Sequence, residues 1–193
     1  RDPTKFASLA QETEAESFAV DSSNIEDVAK LFDQLNGPLE VAIYNPSYRV
    51  SGAITEVDPE QVKKAIEITA FGSFLVAQKA AAAMLANGKG TILFTGASAG
   101  VKGFPKSASF AMGKFAQRGL AQSMARELHP QGIHVAWINI DGMIRNPGRT
   151  EPADRPDSML DPDAIAGNYL MLIRQQRSAW SDELTLRPWV EKF

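Results

Sequence analysis

Small and polar residues follow four short apolar segments of the sequence, and residues of these types often bind cofactors and substrates. The segments, residues 18–20, 39–44, 91–95 and 133–138, are typical of buried strands. In an open parallel sheet, ligands bind outside the carboxyl ends of the strands. Taken singly, each group of residues is more typical of a turn or a helix cap. Four groups at one edge favour a binding site made of Asp21, Ser22, Asn45, Pro46, Ser47, Gly96, Ala97, Ser98, Asp141, Gly142, Met143 and Ile144.

Helices alternate with these strands, and the alternation predicts the fold. Apolar residues recur at helical spacing, and Asn, Asp, Pro and Gly mark the helix ends. The pattern predicts helices over residues 24–35, 59–86, 109–128 and 161–174, and a last strand over 183–186. Alternating elements of these lengths indicate an α/β fold, a Rossmann-type doubly wound parallel sheet. We expect a single domain over 1–193, in which 145–160 form a lid-like loop and 161–193 a C-terminal helix and strand.

Composition and charge exclude several classes of function. The net charge is −3 with no basic stripe, so we expect no nucleic-acid partner. The longest apolar stretch, near 71–84, is interrupted by Gln78 and Lys79, and we expect it to be too short and too polar to span a membrane. His129 and His134 form no metal-ligand cluster, so we expect no metal site. The absence of cysteine fits a reducing compartment, and we expect a cytoplasmic protein.

Several motifs resemble those of the short-chain dehydrogenase/reductase family over residues about 1–146. The run TILFTGASAG at 91–100 is similar to the family's serine-bearing strand and loop, and Phe110-Ala-Met-Gly-Lys114 stands where the family has Tyr-x-x-x-Lys. The runs 119–128 and 132–135 match the family's sequence beyond that motif. The resemblance implies an NAD(P)(H)-dependent oxidoreductase acting on a carbonyl, alcohol or enoyl-type small molecule.

The resemblance also implies which residues contact a nicotinamide nucleotide. Arg1 falls where similar proteins hold the 2′-phosphate of NADP, which favours NADP(H) over NAD(H). The family's glycine-rich turn and first β-α-β portion, roughly 30 residues or more, are missing ahead of Arg1, and the alternative is that the chain in this form binds no cofactor. The implied cofactor residues are Arg1, Asp21, Ser22, Asn45, Pro46, Ser47, Lys114, Asp141, Gly142 and Ile144.

The family's catalytic residues are replaced at three positions. Phe110, Ala97 and Thr69 occupy the usual tyrosine, serine and asparagine positions, and Lys114 is retained. A missing general acid costs about 10²–10⁴ in rate. In similar proteins this lysine binds the ribose hydroxyls and lowers the pKa of the tyrosine, so without the tyrosine the retained Lys114 favours nucleotide binding over chemistry. The catalytic candidates are Lys114 and, as substitute donors, Ser98 and Tyr48.

Three functions therefore stay open. The chain is an oxidoreductase with an atypical proton donor, or a catalytically silent nucleotide-binding homologue that acts as regulator, scaffold or inactive subunit, or a purely structural oligomerisation partner. In similar proteins the helices corresponding to 59–86 and 109–128 form the subunit interface, which implies a homodimer or homotetramer.

Overall fold

The computed structural model describes residues 3–191, and its centre is a sheet of four parallel strands. The strands pair in chain order, β1-β2-β3-β4, and each pairing is parallel. This arrangement confirms the predicted α/β fold with a parallel sheet. The strands are β1 Val41–Tyr44, β2 Gly90–Thr95, β3 Ile133–Ile140 and β4 Glu183–Leu186.

The helices begin where the sequence supplies caps. The side chains of Asn24, Asp58 and Asp161 each accept a hydrogen bond from a backbone N–H in the first turn of their helix. A π-helical turn, Glu67–Phe71, joins α3 to α4. After a 3₁₀ turn at Pro3–Phe6, the helices are α1 Ala7–Thr13, α2 Ile25–Asp33, α3 Pro59–Ile66, α4 Gly72–Asn87, α5 Ala108–Leu128 and α6 Pro162–Ile173.

Two hydrophobic clusters sandwich the sheet, because alternate side chains of each strand point to opposite faces. All eight residues of β3 are buried. Val135 and Trp137 of β3 pack with the alanine-rich sides of α4 and α5 on one face. Ala136 and Ile138 pack on the other face with residues of α6 and the segment before it. The sheet is therefore covered on both faces, as its continuously apolar strands predict.

One predicted strand is wrong. Residues 18–20 are not a strand, because an apolar segment becomes one only when a neighbouring backbone completes its hydrogen-bond ladder, and no described strand pairs with them. Within residues 3–191, β1 is the outermost strand on this side of the sheet. The strand predicted at 133–138 continues to Ile140, since Asn139 and Ile140 pair with β4.

The helix from Pro59 to Asn87 is longer than the apolar stretch considered in the sequence. By length and composition alone its 29 residues are enough to cross a membrane, so the expectation that this region is too short and too polar is wrong on those two criteria. The same helix buries Ala77, Ala80 and Met84 in the main core cluster against β1 and β2. Core helices pass the same composition test, so length and composition alone are weak evidence for a membrane span.

Gly96, directly after β2, is required by the close packing of Trp137. A Cβ atom at Gly96 would lie 2.8 Å from the carbonyl oxygen of Ile138 and would overlap the indole ring of Trp137. We therefore expect Gly96→Ala to lower the free energy of unfolding by about 1–3 kcal/mol or more, the usual cost of overpacking. Gly167→Ala, on α6 where a Cβ meets nothing within 4 Å, should raise it by roughly 0.5–1 kcal/mol. Urea denaturation of both variants checks this; equal effects would contradict the packing argument.

Candidate active site

A cleft of about 740 Å³ opens at the carboxyl ends of β1, β2 and β3, and it is the candidate active site. Its volume lies in the range of small-molecule sites. Three segments after strands contribute to it, as the position of these segments predicts. The first part of α5 forms a further wall. The lining residues are Asn45, Ser47, Arg49, Thr95, Gly96, Ala97, Ser98, Ala99, Phe104, Ser107, Phe110, Lys114, Ile140, Gly142, Met143, Ile144, Asn146 and Arg149.

Lys114 is a buried cation at this cleft. Only 2% of the residue is exposed, and its ammonium donates to the carbonyl oxygen of Thr95 and to Gln117 Oε1, 3.2 Å away. No carboxylate of the described residues pairs with it. Burial therefore lowers the pKa of Lys114 to about 8. The lysine is charged at neutral pH and loses its proton slightly above it.

Phe110 lies one helical turn before Lys114 and lines the same cleft. The Nζ atom of Lys114 is 5.9 Å from the centroid of the Phe110 ring, and Cζ of Arg49 is 5.4 Å from it. Both distances are within the range of cation–π attraction. The ring of Phe110, which carries no hydroxyl group, thus borders the cleft beside the lysine.

The structure brings Ser98 to the cleft and holds Tyr48 away from it. Ser98 begins a 3₁₀ turn directly after Ala97, and both residues line the cleft. The hydroxyl of Tyr48 donates to Gln61 Oε1 at 2.9 Å, and Tyr48 is not a lining residue. Thr69 is buried, and its hydroxyl accepts a hydrogen bond from the backbone of Tyr48 at 3.2 Å. Of the two proposed substitute donors, Ser98 therefore has the position that the hypothesis requires.

The predicted cofactor residues divide into two sets. Asn45, Ser47, Gly142 and Ile144 line the cleft together with Lys114. The side chains of the second set, which are Asp21, Ser22 and Asp141, make contacts elsewhere in the fold, and Pro46 is not a lining residue. Arg1 lies outside the described residues.

Asp21, Ser22 and Asp141 make structural contacts. The carboxylate of Asp21 accepts hydrogen bonds from the backbone and hydroxyl of Ser23, at 3.0 and 2.6 Å, and these bonds lower the pKa of Asp21. The hydroxyl of Ser22 is 3.1 Å from that of Tyr44. Asp141 forms an ion pair of 2.9 Å with Arg187. These contacts are the turn and packing roles that single Asp and Ser residues after strands often have.

Sequence reasoning missed several lining residues, among them Arg49, Thr95, Phe104 and Ser107. Arg49 lies in the loop after β1, so its position after a strand was the signal that pointed to it. Of the three arginines of the lid-like loop, only Arg149 lines the cleft, while Arg145 pairs with Asp161. Among the described residues, no group of three or more His, Cys, Asp or Glu is placed to hold a metal ion.

Comparison with known proteins agrees with this architecture. Residues 2–155 match the sequence profile described as short chain dehydrogenase. A short-chain dehydrogenase from Rhodopseudomonas palustris is 35% identical, and its structure superposes with a TM-score of 0.84 over 98% of this chain and 84% of that chain. A 3-dehydrosphinganine reductase of Arabidopsis thaliana is 32% identical over 133 residues, which are 67% of this chain and 40% of that protein.

Two further matches also cover most of the length of the other protein. An uncharacterized oxidoreductase of Staphylococcus saprophyticus is 26% identical over 97% of this chain and 84% of that protein. A metagenomic short-chain oxidoreductase in complex with NADP superposes with a TM-score of 0.83 over 99% of this chain and 84% of that one, and its 23% identity shows the fold alone. The matches to the first two curated relatives span less than half of those proteins, 40% and 45%.

The low pKa of Lys114 predicts a pH dependence of stability. The folded protein releases this proton near pH 8 and the unfolded chain near pH 10.5, so between these values the unfolded state binds more protons and the folded state gains stability as pH rises. The gain is at most on the order of 3 kcal/mol, at about 1.4 kcal/mol for each pH unit. Denaturation at pH 7.5, 9 and 10.5 measures it.

The control is the exposed Lys79 of α4. Lys114→Met should remove the rise in unfolding free energy, whereas Lys79→Met should keep it. A rise of the same size in all three proteins would mean that Lys114 is not its source.

Proposed function

Because the chain belongs to the short-chain dehydrogenase family, we propose that it is an NAD(P)(H)-dependent oxidoreductase with an atypical proton donor. Its substrate is a small molecule with a carbonyl, alcohol or enoyl group. The observation that carries this proposal is that the buried ammonium of Lys114 and the ring of Phe110, which takes the tyrosine position of the family, border the same cleft. Lys114 is the proton donor of the proposed reaction.

The residues at the cleft suit a nicotinamide nucleotide. Asn45 and Ser47 offer polar groups after β1, and the backbone near Ile144 borders the cleft after β3. Among the described residues, Lys114 lines the cleft and no Asp or Glu does. The resulting positive charge suits an anionic ligand. When bound, the nicotinamide ring supplies or accepts the hydride. NADP is the cofactor we favour over NAD, on the position of Arg1 and on the NADP-bound relative.

The protonation state of Lys114 supports its role as the acid. Its carbonyl and amide partners at Thr95 and Gln117 can accept two of its three N–H groups, which leaves one for a substrate oxygen. With a pKa of about 8 it is mostly protonated at neutral pH and still acidic enough to give the proton up. Ser98, which also lines the cleft, is the hydroxyl that would donate a second hydrogen bond to the substrate oxygen.

A silent nucleotide-binding protein is the second candidate function. The absence of a hydroxyl on Phe110 and the turning of Tyr48 toward Gln61 favour it, since neither aromatic ring presents a phenol to the cleft. In such a protein the retained lysine would bind ribose hydroxyls only.

Turnover with full-length protein separates these two functions. We expect NADPH oxidation with at least one member of a panel of aldehydes, ketones and enoyl compounds. kcat/KM for reduction should fall as pH rises through about 8, because the ammonium form of Lys114 is then lost. Lys114→Met should lower kcat by about 10²-fold or more. NADPH fluorescence titration then reports whether the variant still binds the cofactor.

The double variant Phe110→Tyr with Ala97→Ser is the positive control, because it restores the family's acid and hydroxyl. If the natural chain binds NADPH and reduces nothing while the double variant turns over, the silent function is correct and the oxidoreductase proposal fails. A natural chain whose activity is unchanged by Lys114→Met would overturn Lys114 as the donor.

We also propose a homodimer or homotetramer that assembles through helices 59–86 and 109–128, in the cytoplasm. Phe71 and Phe74 on the first helix are 40% and 42% exposed, and Met112 and Phe115 on the second are 54% and 46% exposed. Gly119, one turn further along α5, has open space where a Cβ would be, which allows close approach of another helix. Such paired apolar residues on two neighbouring helices favour a protein partner.

The double variant Phe74→Glu with Phe115→Glu should therefore convert the assembly to a monomer, because each subunit would bury two charges at the interface. Leu170→Glu, at a 49% exposed position on α6, should leave the mass unchanged. Sedimentation at micromolar concentration measures both. A natural chain that already sediments as a monomer would refute the proposed assembly.

A further inference from the structure

We infer that the substrate carries an anionic group, in the simplest case a carboxylate, which Arg49 and Arg149 bind at the cleft. This inference rests on the proposed function and names the class of its substrate. It is carried by the charge of the cleft, by two guanidinium groups that pair with no carboxylate of the described residues, and by the way the loops that bear them are fixed.

The cleft is positively charged in a chain of net charge −3. Among the described residues that line it are Arg49, Lys114 and Arg149, and none is Asp or Glu. A cleft lined by one sign of charge concentrates ligands of the opposite sign. The proposed function assigns the free N–H of Lys114 to the reacting oxygen of the substrate, so the two arginines are the cations at the cleft that can bind a second, anionic group.

Neither guanidinium is neutralised by a described carboxylate. Arg49 and Arg149 are both exposed, and within residues 3–191 no carboxylate oxygen lies within 4.0 Å of either guanidinium. Other arginines of the chain do have such partners: Arg118 pairs with Glu183 at 2.7 Å, and Arg145, in the same loop as Arg149, pairs with Asp161. A planar guanidinium that is not paired in this way matches a ligand carboxylate in two parallel hydrogen bonds.

The backbone near Arg49 is fixed at several points. The hydroxyl of Ser109, in the first turn of α5, donates to the carbonyl oxygen of Val50 at 2.8 Å. The amide of Gly52 donates to the carbonyl oxygen of Lys106 at 3.1 Å. These bonds hold the backbone directly after Arg49 against the wall of the cleft. The side chain of Arg49 therefore extends from a fixed backbone.

The backbone of Arg149 is fixed in a tight turn. The amides of Asn146 and Arg149 each donate to the other residue's carbonyl oxygen, at 3.0 and 2.9 Å. The side chain of Asn146 accepts a further bond from the amide of Gly148 at 2.9 Å. The arginine therefore projects from an ordered turn of the lid-like loop.

The surroundings of Arg49 assign it to the substrate and not to the cofactor phosphates. Its guanidinium lies 5.4 Å from the ring of Phe110, and the resemblance sets the reacting group of the substrate beside that position. Phe104 and Met143 add apolar surface to the same cleft. A ligand with an apolar body and one carboxylate matches both the charge and the apolar lining.

Binding of 4-phenylbutyrate and of its neutral amide to the natural chain tests this inference. Both probes have the same apolar body, and isothermal titration gives their affinities without any need for turnover. We expect the carboxylate to bind at least about tenfold more tightly than the amide, the usual effect of a charged hydrogen-bonded pair. Arg49→Met and Arg149→Met should each remove most of that preference. Arg145→Met, which alters an exposed arginine already paired with Asp161, should keep it.

Equal affinity for the two probes, or a preference that survives either Arg49→Met or Arg149→Met, would overturn the inference. NADPH titration of the same proteins separates its failure from that of the proposed function. If the natural chain does not bind NADPH but prefers the carboxylate, the oxidoreductase proposal fails and the anion site stands. If Arg149→Met weakens NADPH binding and leaves the probe affinity unchanged, Arg149 serves the cofactor and the two-arginine site is wrong.

Discussion

A buried ammonium group at the carboxyl end of β2 ties the floor of the cleft to the helix that covers it. Removing an ammonium from water is costly, and the cost is tolerated here because Lys114 donates to the carbonyl of Thr95 and to the amide oxygen of Gln117. The amide of Gln117 in turn donates to the carbonyl of Thr69 at 3.4 Å. Gly113 permits this arrangement, since a Cβ there would lie 2.9 Å from the side chain of Thr69.

The fold was largely predictable because it depends on local pattern. β3 is apolar along its whole length, and a strand of that kind needs helices on both faces, which the alternation of elements provides. The failure at residues 18–20 has a physical cause: three apolar residues do not reveal whether a neighbouring strand exists to complete the ladder. The extension of β3 to Ile140 was not predicted for the same reason. The last two residues of β3 pair with residues of β4, which lie 46 positions later in the chain.

The candidate site was predictable in position and less so in detail. The ends of parallel strands meet at one edge, so Asn45, Gly96 and Gly142 could be expected near one another. The direction of a side chain depends on partners distant in sequence. Asp141 turns to Arg187 and Tyr48 turns to Gln61, and neither contact has a periodic signal in the sequence.

Phe110 has two effects on the cleft that oppose each other. Its phenyl ring lacks a hydroxyl group that could give a proton to the substrate. The ring also borders Lys114 with an apolar surface, which offers the ammonium a weak cation–π contact and no hydrogen-bond acceptor. An ammonium that cannot be solvated or paired with a carboxylate is a stronger acid, and burial alone brings the pKa of Lys114 close to neutrality. In the proposed oxidoreductase the group that titrates at the cleft is therefore the amine of Lys114, because the phenyl ring of Phe110 has no proton to give.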